Sequence, residues 1–201
     1  VRLLVADDLG QVTPAEVTAL RGRLLFENLA QGNSAHPSRG GGASQSVLTQ
    51  SVLWGNVADF GGGAANSDLQ NCTLVENVVP TTGRGGGLWV DEPHSVLNSI
   101  LWQNALDQIT DDVGGPGLSV TYSDVQWGWR GTGNIEDCPE FWSLFGHDYH
   151  LLPISPCIDT GHPGMFDPDG SRVDMGAFPF DRAWTGIPAV GLVGKPNSQG
   201  C

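Results

Sequence analysis

The string "SVLWGNVADFGGGAANSDLQNCTLVENVVPTTGRGGGLW", residues 51 to 89, states one pattern twice: a small polar residue, an apolar pair, an Asn, a gap, then three glycines. The flanks carry more copies. "LAQGNSAHPSRGGGA" places Asn33 ahead of Gly40, Gly41 and Gly42, and "SVLNSILWQN" repeats "SVLTQSVLWGN" without the glycines. The asparagines Asn33, Asn56, Asn77 and Asn104 step by 23, 21 and 27 residues, and the triplets beginning at Gly40, Gly61 and Gly85 step by 21 and 24. A period of this length with elastic loops is the signature of a solenoid, in which each repeat buries its core only against its neighbours.

From Leu24 onward the apolar spacing is two, in short runs punctuated by Asn or Gly, so the repeat is built from strands. Aligned on the Asn column, the position five earlier is Asn28, Ser51, Cys72 and Ser99, and the position three earlier is Ala30, Leu53, Leu74 and Leu101. Both columns are small or apolar, as stacking inside a narrow coil demands. An inward Asn at a bend bonds the next Asn and exposed backbone. Glycine takes the corner where positive φ is costly for a residue with a Cβ. The expected fold is all-β, a parallel β-helix with rungs at 24–42, 43–63, 64–87 and 88 to about 115. A fifth rung places Ser123 and Val125 inward, and the last rung is closed by a cap, since an open end exposes edges and core. Right-handedness follows the general bias of parallel crossovers. Four regions are expected: a leading segment or partial coil over 1–23, rungs over 24–130, a capping region over 131–181, and a linker into a further module over 182–201. "VTPAEVTALRGRL" near the start reads equally as a short helix capped by Thr13 and as irregular coil.

Composition narrows the function. The net charge is −13, from 9 Lys plus Arg against 22 Asp plus Glu, which argues against nucleic acid as a partner. Lys195 is the single lysine, so lysine catalysis is not expected. The 29 glycines and 13 prolines are spread along the chain and mark many turns. No apolar run approaches the ~20 residues of a membrane helix, so no insertion is expected here. The chain starts at Val1 with no signal-peptide core and reads as a cut from a longer protein, with flanking domains as neighbours. Four cysteines lean toward an oxidising compartment, with Cys138–Cys157 the favoured pair. Cys72 shares the Ser51 and Ser99 column and reads as a small core residue.

The strings "TYSDVQWGWRGTGNIEDCPEFW", "DYHLLPISPCIDTGHP" and "DPDGSRVDMGAFPFD" resemble, in this order, the C-terminal end of bacterial secreted right-handed β-helix proteins that finish in a choice-of-anchor module. The resemblance covers about residues 95 to 181. The units "LWGN", "LVEN" and "LWQN" are similar to the repeats of polymorphic outer-membrane adhesins, whose passengers are also β-helices. Both likenesses imply a secreted or cell-surface location more than a chemistry. The tail "RAWTGIPAVGLVGKPNSQGC" loses the alternation, and Cys201 could pair outside this stretch.

Three candidate chemistries stand out. In "DPDGSRVD", Asp167, Asp169 and Asp174 around Gly170 offer oxygen ligands for a structural Ca²⁺. The twelfth position counted from Asp167 is Phe178, so this is not an EF-hand, and the competing reading is an Asx-turn loop in which Arg172 pairs a carboxylate. No cofactor is otherwise required. Asp111, Asp112, His147 and Asp148 could form an acid site of a glycoside hydrolase or polysaccharide lyase if they converged. Two residues before each ladder Asn stand Gln31, Trp54, Val75 and Trp102, with Trp127 extending the column. If the Leu column points in, these point out. Trp54, Trp102 and Trp127 could then stack on the rings of a surface glycan or a host or matrix polysaccharide, or be covered by a loop or neighbouring domain. The expected function is a non-catalytic exported scaffold for adhesion or glycan binding, with a polysaccharide-degrading enzyme and a plain structural stalk as alternatives.

Overall fold

The computed structural model describes residues 19–21, 24–26, 37–114, 117–180 and 182. Thr13 and its neighbours, Asn28, Ala30, Gln31, Asn33, Lys195 and Cys201 lie outside them, as does almost all of 182–201. Among the described residues every regular element is a strand and none is a helix. The strands β3 (Ala43–Ser44), β4 (Val47–Thr49) and β5 (Val52–Trp54) make one coil. The next holds β6 (Ala64–Ala65), β7 (Asp68–Gln70) and β8 (Thr73–Val75). A third holds β9 (Leu88–Val90), β10 (His94–Leu97) and β11 (Ile100–Trp102), and a fourth β12 (Ile109–Asp111), β13 (Leu118–Thr121) and β14 (Asp124–Val125). Two short strands, β1 (Ala19–Arg21) and β2 (Leu24–Phe26), precede them.

Equivalent strands stack in three parallel sheets, ordered β1-β4-β7-β10-β13, β2-β5-β8-β11-β14 and β3-β6-β9-β12. This is a β-solenoid of about three turns, with like residues over like. Leu53 registers on Leu74, Leu74 on Leu101 and Leu101 on Val125. Leu48, Leu69, Val96 and Val120 form a second inward column. All eight are shut from solvent, each contributing ~1.5–3 kcal/mol by burial. The fourth coil begins at Ile109, which pairs with Leu88, so the third closes at Gln108 rather than near residue 115.

Corners follow one rule: a residue in the left-handed region, then an inward polar residue. The left-handed position is held by Gln45, Gln50, Gly55, Asn66, Asn71, Glu76, Asn98, Gln103 and Tyr122. The inward residue after it is Ser46, Ser51, Asn56, Ser67, Cys72, Asn77, Ser99, Asn104 or Ser123, all buried. The serine hydroxyl donates to the carbonyl two residues back, as Ser99 does to Leu97 at 2.9 Å. It also accepts the backbone N–H of the preceding coil, as from Cys72 at 3.1 Å. Each bend is thereby satisfied by one small side chain.

The asparagine ladder is present and continues beyond the repeat. Asn77 Oδ1 accepts from the Asn56 backbone N–H at 3.0 Å and from Asn56 Nδ2 at 2.9 Å. Asn104 Oδ1 accepts the same pair from Asn77, at 3.0 and 2.8 Å. Where the fourth coil has no asparagine, Gln108 reaches in, and its Oε1 accepts from the Asn104 backbone N–H and Nδ2 at 3.2 and 2.7 Å. Gln108 Nε2 passes the chain to Gln126 Oε1 at 3.1 Å.

The glycine triplets serve two needs. Gly40, Gly61 and Gly85 each have φ +65°. The following two glycines of each triplet have no room for a Cβ, which at Gly62 would stand 2.6 Å from the Val78 carbonyl oxygen and at Gly63 3.0 Å from Asn77 Nδ2. The triplet is thus the wall against which the ladder lies.

The expected end cap divides into two parts. Residues 126–135 close the coil: Ser123 N–H donates to Asn134 Oδ1 at 3.1 Å, Ile135 bridges Asp124, and Trp129 packs on the core. The remainder does not sit on the end. A hairpin of β15 (Phe141–Ser143) and β16 (Asp148–Leu151), followed by a strap to residue 180, lies along the outer face of β5, β8, β11 and β14. Cys157, His162, Asp174, Gly176 and Ala177 bond side chains or backbone of Asp124, Asn98, Asn71 and Thr73 on that flank. The apolar outer face of this parallel sheet would otherwise be wet; here it becomes a second core.

Candidate functional site

The tryptophan column does point outward, and the strap covers it. Trp102 is 5% exposed, among Ile100, Leu151, Cys157 and Met175. Val75 lies with Val52, Leu144, Tyr149 and Ala177, with Trp54 against them. Trp54 donates its indole N–H to Glu76 Oε2 at 2.8 Å, and its ring centroid is 3.7 Å from that of His147. Trp54 and Trp102 therefore serve as packing beneath the strap, correcting the expectation of sugar platforms on this flank. Trp127 is not in the column. Leu101 registers on Val125, which aligns Gln126 with Trp102 and throws Trp127 into a turn at φ +70° and 68% exposure.

The "DPDGSRVD" loop closes on itself. Asp167 Oδ2 accepts the Asp174 N–H, Asp169 Oδ1 accepts the N–H and hydroxyl of Ser171, and Asp174 accepts the N–H groups of Asp159 and Phe180. Gly170 makes the tight turn at φ +85°. Burial, with Asp174, Asp169 and Asp159 nearby, pushes Asp167 up to about 6. Among the described residues no group of three His, Cys, Asp or Glu side chains is placed to hold a metal ion. Arg172 does not pair a carboxylate; it donates to the carbonyls of Gly161 and Thr160, and Arg182 pairs Asp159 and Asp169.

The four acid-site candidates have separate partners. Asp112 receives Arg84 and the Trp89 indole N–H. Asp111 accepts the Val113 N–H at 3.0 Å. The His147 ring lies tilted against Trp54, and Asp148 bonds His150. The cysteines are also placed differently from expectation. Cys157 is a buried free thiol, so it forms no disulfide with Cys138; its S–H instead meets Asp124 Oδ2 at 3.2 Å beneath the strap. Cys72 is likewise free and buried, and burial pushes its thiol up to about 12.

Sequence reasoning missed the buried carboxyl of Asp124. It stands on the outer face of β14, unexposed, with Oδ1 bonded to no group, and burial raises it to about 8. It also missed the pocket at the C-terminal mouth of the solenoid. After β12 the sequence leaves the repeat, and beside the closing turn lies a cavity of about 480 Å³ lined, among the described residues, by Asp111, Gly114, Trp129 and Arg130. Trp129 packs on the core and also forms a wall of this pocket. A carboxylate, a guanidinium and an indole at one opening can orient a polyhydroxylated ring. The signal that could have found it is the aromatic and basic run "WGWR" falling where the repeat stops.

Fold and site together define a β-solenoid with a closed flank and an open pocket at one end. No family model, curated protein or solved structure matches the chain. Among the described residues no helix is long and apolar enough to cross a membrane.

Proposed function

We propose that this chain is a non-catalytic scaffold of an exported or cell-surface protein that binds glycan at the mouth of its coil. One observation carries the reading: the strap closes the flank over Trp54 and Trp102, while the mouth leaves Trp127 exposed two residues from the pocket wall Trp129. Aromatic faces beside a few polar groups are how proteins hold sugars, the apolar ring face stacking and the hydroxyls hydrogen-bonding. Export, and membership of the bacterial β-helix proteins with a C-terminal anchor module, is supported by the order of the three C-terminal motifs. The free thiols of Cys72 and Cys157 add nothing to it.

A glycan array probed with the whole chain tests the proposal. Binding that is lost in Trp127→Ala supports it. Silence across a broad array points to a stalk, and release of oligosaccharide from a polysaccharide points to the enzyme reading.

A further inference from the structure

We infer that the mouth pocket takes a carboxylate-bearing sugar ring, with Arg130 holding the carboxylate; the inference rests on the glycan reading above. The chain carries net charge −13, and of the five arginines whose side chains are described, Arg39, Arg84, Arg130, Arg172 and Arg182, four are occupied. Arg39 pairs Asp91 and lies over the Trp89 ring, Arg84 pairs Asp112, Arg172 binds two carbonyls, and Arg182 pairs Asp159 and Asp169. Arg130 is exposed at the pocket and bonds no other described residue. Among those five it alone has neither a carboxylate nor a carbonyl partner among the described residues, and its planar fork fits a carboxylate in two parallel bonds.

The other walls suit the rest of such a ligand. Asp111 spends one oxygen on the Val113 N–H, and its second bonds no described group and can accept from a ring hydroxyl. Asp111 and Arg130 line the same cavity yet form no ion pair with each other. Trp129 offers an apolar wall, and Gly114 leaves the rim open, with nothing within 4 Å of where a Cβ would stand. The volume of about 480 Å³ lies within the ~300–1,000 Å³ of small-ligand sites and suits one or two rings rather than a long chain. Asp111 and the overall negative field oppose a phosphate dianion, whereas a singly charged carboxylate meets one guanidinium with little excess charge.

Calorimetric titration of the whole chain at low salt with methyl glucuronide, methyl glucoside and inorganic phosphate tests this. Because Arg130 is exposed and bonds no other described residue, Arg130→Ala and Arg130→Lys should melt as the parent does. The glucuronide should bind about tenfold more tightly than the glucoside, one charge-assisted bond's worth. Arg130→Ala should erase that preference, and Arg130→Lys should restore part of it. Equal binding of both sugars, unchanged in Arg130→Ala, overturns the carboxylate assignment and leaves glycan binding standing. Failure of both sugars to bind overturns the carboxylate assignment, the glycan reading being decided separately by the array, and phosphate binding as tight as the glucuronide overturns the sugar as the ligand.

Discussion

Replacing Asn77 with alanine should cost this fold several kcal/mol, far more than any exposed substitution. Its side chain is unexposed and makes four hydrogen bonds: two accepted from Asn56, and two donated, to the Leu53 carbonyl and to Asn104 Oδ1 at 2.9 and 2.8 Å. Asn104 Oδ1 keeps a donor after truncation, the Asn77 backbone N–H at 3.0 Å. The two Asn56 donors lose the acceptor they share in the interior. At ~1–3 kcal/mol for each buried donor stripped of its acceptor, the loss is about 2–6 kcal/mol. That is a large part of the ~5–15 kcal/mol by which a domain is stable. Asn77→Asp tests direction rather than number, because it keeps Oδ1 for Asn56 but turns an oxygen toward two acceptors. It should be at least as damaging at neutral pH and recover partly in acid, where the protonated carboxyl regains a donor. Urea unfolding followed by tryptophan fluorescence reads both, with exposed Glu92→Ala as reference. If Asn77→Ala falls within ~0.5 kcal/mol of that reference, the ladder is not a stabilising element and the reasoning fails.

Asp124 holds its proton in the folded state to about pH 8, against 3.8 for a free carboxyl, chiefly because it is buried and secondarily because Asp137 lies near, while the Cys157 bond opposes both. The folded state binds the extra proton, so this group's contribution to stability falls as pH rises from about 4 and is lost above about 8. At ~1.4 kcal/mol per unit the swing is of the order of several kcal/mol, and melting curves from pH 5 to 9 should flatten in Asp124→Asn. Gly62→Ala should destabilise by ~1–3 kcal/mol in the same urea assay, since its Cβ would meet two backbone oxygens, at 2.6 and 2.7 Å; a loss within ~0.5 kcal/mol of the exposed Glu92→Ala reference would refute the wall role of the triplet. A thiol-reactive dye should leave Cys72 and Cys157 untouched in the native protein and label them on unfolding, because both are buried with raised pKa.

Much of the coil was legible because its chemistry repeats in register. Ser51, Cys72 and Ser99, Leu53, Leu74 and Leu101, and Asn56, Asn77 and Asn104 are each one position seen three times, and all face inward. The breaks were not legible. Gln108 fills the asparagine's place from four residues further along with a longer side chain, a substitution that spacing alone does not flag. The left-handed corners at Gln50, Glu76, Gln103 and Tyr122 carry residues with no special liking for that conformation, held there by the coils above and below. The strap was invisible for a different reason: its bonds span from 33 residues, Cys157 to Asp124, up to 104, Ala177 to Thr73, and no period announces them. The outward direction of Trp54 and Trp102 followed from alternation, but their exposure depended on that distant segment. The mouth pocket is legible only as the place where the pattern stops.

The path of the strap changes how the molecule can come apart. It is fixed to Thr73 in the second described coil, Asn98 in the third and Asp124 in the fourth. A stack in which each turn grips only the next can fray from an end like a loosened spring. With three turns laced by one diagonal brace, none of them can peel without tearing the lace, and fraying gives way to a single concerted collapse.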